Sequence, residues 1–115
     1  MKGIGLCFGL AILLSAPAVR AQDAKAQRTW KAKCASCHGE DGKAQTEQGK
    51  KMAMNDITTA EWQKSFTDEK IKQAILNGVS EEKEGKKKQM DPFKDKLKPE
   101  QVDALVAYTR SLAAK

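Results

Sequence analysis

The sequence has 115 residues, a length that accommodates one small domain and excludes several. Its 21 basic residues outnumber 15 acidic ones, a formal charge of +6, but the acids are interleaved with the lysines. That interleaving argues against a continuous nucleic-acid-binding face, and an aromatic content of only 5% is thin for a self-sufficient core. Small domains of this kind borrow stability from a cofactor or a cross-link.

Residues 1–21 read as a cleaved secretory signal peptide. Lys2 supplies the positive start, Gly3 to Leu14 an uncharged and largely apolar run, and "SAPAVRAQ" the small residues of a cleavage site. Cleavage after Ala21 is preferred over cleavage after Ala18. A run of 12 residues is too short to span a bilayer, which takes about 20, so no stable membrane span is expected after cleavage. Cys7 leaves with the leader. The remaining domain, residues 22–115, keeps 19 basic residues against the 15 acids once Lys2 and Arg20 are gone, and two cysteines. The expected location is a bacterial periplasm, where a cysteine pair can be oxidised, bind metal or be alkylated.

Along this domain the apolar spacing is helical and no strand stands out. Asp23 to His38 forms the first expected helix, with Asp23 as its cap, Ala26 and Trp30 on its inner face, and Gly39 as its stop. A polar loop follows to Ile57. Thr59 to Ser65 suits a short helix carrying Trp62. "TDEKIKQAILNG" combines an N-cap at Thr67, acids in the first turn, an apolar stripe of Ile71, Ala74 and Ile75, and a stop at Gly78. Val79 to Lys96 reads as a long charged loop. The last helix starts at Pro99 and buries Val102, Leu105, Val106, Thr109 and Leu112, with Tyr108 alongside. Two such long loops are unusual in a compact bundle unless they wrap something.

The chemistry is concentrated in "CASCH", where Cys34 and Cys37 precede His38, the only histidine in the chain. On a helix these three residues share one face. A structural zinc site takes four ligands, and no third cysteine or second histidine remains after cleavage. A redox dithiol is expected after a strand in a βαβ unit, and none is visible here. Covalent haem attachment uses all three residues: two thiols form thioethers and the adjoining imidazole binds iron.

On these residues the chain resembles the monohaem class I c-type cytochromes, over the whole of residues 22–115. The resemblance implies an all-α fold of three main helices plus short ones wrapped around one covalent haem c, with the first and last helices crossing nearly at right angles. Ala26 and Trp30 match the small residue and the aromatic that precede the family motif. "LVAY", Leu105 to Tyr108, matches the last-helix segment that crosses them. Cys34 and Cys37 would then hold the haem and His38 would be the proximal ligand. For the sixth ligand, a second histidine is excluded by counting; methionine, lysine or an open position remain. Met90, in "KKKQMDPF", lies in the loop corresponding to the family's ligand loop, with its proline displaced by one, and is the preferred candidate. Met52 holds a position expected to pack on the haem, and Met54 a weaker one. Lys50 stands where the family has a proline whose carbonyl accepts from the imidazole Nδ1–H, so its carbonyl is the expected acceptor.

The implied role is a one-electron carrier, not an enzyme, working as a monomer with redox protein partners whose docking surfaces are acidic. Lys86, Lys87 and Lys88 before Met90, and Lys94, Lys96 and Lys98 after it, would form the matching basic rim. The alternatives are a five-coordinate haem that senses a gas or acts as a weak peroxidase, and a haem subunit of a larger oxidoreductase.

Overall fold

The computed structural model describes Gly9 and residues 17–114. Residues 1–8 and 10–16 of the expected leader lie outside the described residues. The elements run α1 (Pro17–Lys33), α2 (Ala35–His38), α3 (Glu47–Lys51), α4 (Ala60–Ser65), α5 (Asp68–Asn77), β1 (Val79–Lys83), β2 (Lys86–Met90) and α6 (Pro99–Ser111). The helix expected from Asp23 is already under way at Pro17, so Asp23 is an interior residue and not a cap. Proline at the first helical position costs no hydrogen bond, and the alanines, arginine and glutamine that follow are good helix formers. The helix is interrupted at Cys34, where φ widens to −119° (ψ −35°), and resumes as the single turn of α2.

Hydroxyl caps set the starts of the next three helices. The side chains of Thr46, Thr59 and Thr67 accept hydrogen bonds from the backbone N–H of Gly49, Trp62 and Lys70, at 2.9, 3.2 and 3.2 Å. The last two match the sequence reading. The first creates α3 inside a segment expected to be an irregular loop. α6 begins at Pro99, as expected, and the Gln101 side chain accepts from the backbone N–H of Lys98 at 2.9 Å.

The all-α expectation needs correction: residues 79–90 form an antiparallel hairpin. Val79 pairs with Met90, Glu81 with Lys88, Glu82 with Lys87 and Lys83 with Lys86. The two-residue turn, Glu84-Gly85, has φ of 54° and 74°, the doubly left-handed geometry that matches strand twist. Charge hid these strands, because valine is the one β-branched residue among ten strand positions. Opposite charges facing across the ladder supply part of what β-propensity lacks. The hairpin is also anchored at its base, where the backbone N–H groups of Phe93 and Lys94 donate to the carbonyls of Ile75 and Leu76 at the end of α5.

The core is built where α6 packs against α1 and α5. Val102 and Leu105 are fully enclosed, surrounded by Trp30, Ile57, Ile71, Ile75, Leu97 and Val106. Tyr108 meets the Trp30 ring at 5.5 Å, joining first and last helices through the aromatics expected to do so. Arg110 ties α6 to the α4–α5 junction. Its Nη1 donates to the Gln63 carbonyl (2.7 Å) and side chain (2.9 Å), and its Nε to Asp68 (2.8 Å). Among the described residues no helix is long and apolar enough to cross a membrane.

Candidate functional site

The Cys-Ala-Ser-Cys-His turn ends in three consecutive carbonyls, those of Cys37, His38 and Gly39, which a short helix would leave unpaired. All three are taken. The Thr46 hydroxyl donates to the Cys37 carbonyl at 2.7 Å, the Ala44 N–H to the His38 carbonyl at 2.8 Å, and the Trp30 indole N–H to the Gly39 carbonyl at 2.9 Å. Thr46 thus caps α3 and pins the motif with one hydroxyl. The two segments approach so closely that a Cβ on Gly49 would lie 2.6 Å from the Cys37 carbonyl oxygen. Sequence reading missed Thr46, although Thr-Glu at the head of a short polar run is a recognisable helix-start signal.

Above this turn opens an apolar cavity of about 210 Å³. Cys34 and His38 line one side and Met90 is also in its wall, with Met54, Ile57, Trp62, Phe66, Ile71 and Ile75 among the other lining residues. The folded chain thus brings together Cys34, His38 and Met90 from α1–α2 and β2. Cys37 stands beside His38 on α2, half-buried, but is not part of that wall. The hairpin contributes Val79, Glu81, Lys88, Gln89 and Met90 to the wall. Lys88 and Met90 are the half-buried positions of β2, opposite Glu81 and Val79 of β1. Lys88 Nζ donates to Asn55 Oδ1 at 3.2 Å, closing the hairpin onto the loop that precedes Ile57. Trp62 stacks on Phe66 (centroids 4.8 Å apart), and both line the cavity.

Two expectations about this site are corrected. Met54, not Met52, reaches the cavity. Met52 caps the C-terminus of α3, and the left-handed turn at Ala53 (φ 49°) redirects the chain so that Met54 enters the wall. The Lys50 carbonyl does not accept from the imidazole either. It accepts from the Ala53 N–H at 3.2 Å, and the buried Nδ1 of His38 has no hydrogen-bond partner.

Burial sets the protonation states. It lowers the His38 pKa below the usual imidazole value, which favours the neutral, ligating form. It also pushes the Cys34 thiol from 9.0 up to about 11, with the neighbouring Lys33 opposing the shift. Cys34 and Cys37 are not joined in a disulfide. Among the described residues, no three His, Cys, Asp or Glu side chains gather into a metal-binding group. The residues present do fit a haem: an apolar cavity, a neutral imidazole in its wall, a thiol beside it and a thioether in the wall formed by the hairpin.

The comparisons agree. The family model described as cytochrome c oxidase, cbb3-type, subunit III matches residues 21–108. The solved structure of the KustC0563 c-type cytochrome is 34% identical, with a TM-score of 0.66 over 77% of this chain and 98% of that one. A tyrosine-to-phenylalanine mutant of Kustc0563 gives 34% identity and a TM-score of 0.64, over 76% of this chain and 96% of that one. None of the curated proteins is significantly similar. The chain belongs to the cbb3-type subunit III family of cytochrome c domains, and is accordingly a c-type cytochrome, an electron carrier with covalently bound haem.

Proposed function

We propose that residues 22–115 form an exported, periplasmic one-electron carrier holding one haem c through Cys34 and Cys37, with His38 and Met90 as axial ligands. The observation that carries this reading is the convergence of Cys34, His38 and Met90 on one apolar cavity. When bound, the haem supplies a metal centre that changes charge by one electron. The chain's contribution is to hold the ligands still and keep water out. His38 offers a neutral nitrogen from a turn whose Cys37 and His38 carbonyls are both pinned. Met90 offers a soft sulfur that favours the reduced iron. The apolar walls disfavour the more highly charged state in the same direction. If His38 and Met90 both held the iron, no position would be left for oxygen or a substrate, and the chain's task would be electron transfer between proteins.

The partner surface follows from charge. Lys86, Lys87, Lys94, Lys96 and Lys98 are exposed on and after β2, beside the wall that carries Met90. They provide a basic rim for acidic redox partners, and the chain works as a monomer. The family model takes its description from a subunit of a larger oxidase, which favours one second reading: a haem subunit docked in a complex. Co-purification with a stable partner distinguishes the two.

The test is a pyridine haemochrome spectrum together with the mass of the mature protein. The expected result is one covalent haem on a chain starting at Gln22. A colourless protein with two alkylatable thiols would overturn the reading.

A further inference from the structure

His38 lies in the cavity wall, yet the hydrogen bond that ordinarily fixes the plane of a ligating imidazole is missing. A metal-bound histidine usually donates its other ring N–H to a carbonyl or carboxylate, and that bond sets the ring orientation. Here Nδ1 is buried without an acceptor, and the carbonyl best placed by sequence, that of Lys50, is engaged by Ala53. Something else must hold the ring.

One side chain touches the motif twice. Trp30 is 4% exposed. Its ring lies 5.6 Å from the His38 ring at a tilt of 36°. Its indole N–H donates to the carbonyl of Gly39, the residue directly after His38. The two contacts act on different degrees of freedom. The ring face limits rotation of the imidazole about its Cβ–Cγ bond, and the hydrogen bond fixes the backbone from which the imidazole projects. The Tyr108 ring meets the indole at 5.5 Å but does not touch the motif through either of these two contacts. Phenylalanine or leucine could fill the same core space, but neither can donate the hydrogen bond.

We infer that Trp30 is the positioning residue for the axial imidazole, taking over through ring contact and the Gly39 hydrogen bond the role that an Nδ1–H acceptor would otherwise play. The inference rests on the proposed ligation by His38. It implies that the imidazole plane and the shielding of its Nδ1 proton both depend on Trp30, while ligation itself does not.

The test uses the haem-loaded ferric protein and its paramagnetic proton NMR spectrum, where the order of the haem methyl shifts follows the plane of the axial imidazole. In Trp30→Leu the methyl order is expected to change, and the His38 Nδ1 proton to exchange with solvent much faster. Trp30→Phe keeps an aromatic face and serves if the leucine variant does not fold. It should keep the methyl order but speed exchange by up to roughly tenfold, the effect of losing one buried hydrogen bond. Tyr108→Leu should lower the melting temperature and leave the methyl order alone. With haem attached, an unchanged methyl order and exchange rate in Trp30→Leu would overturn the inference and leave the proposed ligation standing. So would a methyl order moved equally by Tyr108→Leu, or a wild-type Nδ1 proton coupled to a carbonyl. A wild-type spectrum without hyperfine-shifted signals would sink the ligation as well.

Discussion

A Cβ added to Gly78 would overlap the carbonyl oxygen of Met90, across the open end of the hairpin. The glycine also has φ of +73°, a conformation that costs other residues about 1–3 kcal/mol. The end of α5 and the proposed ligand strand are therefore packed directly on one another, and the position of Met90 is set partly by the absence of a side chain at residue 78. Gly78→Ala is expected to destabilise the protein by roughly 2–3 kcal/mol, a drop in Tm of about 8 °C or more for a domain of this size. The variant should also lose part of the methionine–iron absorption in the near red. A full-strength band with a lowered Tm would separate stability from ligand placement and disprove the second half.

Two methionines line the cavity, and they offer a direct discrimination. Met90→Ala should abolish the near-red charge-transfer band of the ferric protein and open the iron to rapid carbon monoxide binding once reduced. Met54→Ala should leave the band in place, its cost confined to packing, about 2–3 kcal/mol for a half-buried side chain. The reverse pattern would assign the ligand to the loop before Ile57.

The Cys34 thiol gives a pH-dependent readout. Its raised pKa means that the folded thiol stays protonated between 9.0 and about 11, where an exposed thiol has already ionised. Only the thiolate alkylates, so near neutrality about a hundredfold less of the reactive form is present than for an exposed thiol. In haem-free folded chain, iodoacetamide should label Cys34 slowly at about pH 8, and the rate should climb until about pH 11. Haem-loaded protein should not label at any pH, because a thioether carries no proton to lose. Fast labelling of Cys34 at about pH 8 would show that the thiol is not buried as described.

Arg110 separates an ion pair from hydrogen bonding. Its salt bridge to Asp68 is exposed on the acid's side, with 73% of the Asp68 side chain open to solvent, and exposed pairs contribute under about 1 kcal/mol. Its bonds to Gln63 tie α6 to α4 in partly buried surroundings. Asp68→Asn should therefore shift the denaturation midpoint little, whereas Arg110→Ala should cost about 1.5–3 kcal/mol. Equal effects in chemical denaturation would contradict that division.

The C-A-S-C-H motif, the short helix from Thr59, the cap at Thr67, the stop at Gly78 and the inward face of α6 were legible from the amino-acid order. Each is a signal between residues within one or two helical turns, and backbone geometry alone brings such residues together. The choice of Met54 over Met52, the strands among the charged residues 79–90, the unpartnered Nδ1 of His38 and the double grip of Trp30 were decided only by the fold. They depend on groups that meet after distant segments have packed: Lys88 on Asn55, Phe93 on the end of α5, Arg110 on Gln63. Which of several chemically equivalent side chains reaches the cavity depends on one left-handed residue at Ala53 and one missing side chain at Gly78. Local propensity carries no information about what stands on the far side of either.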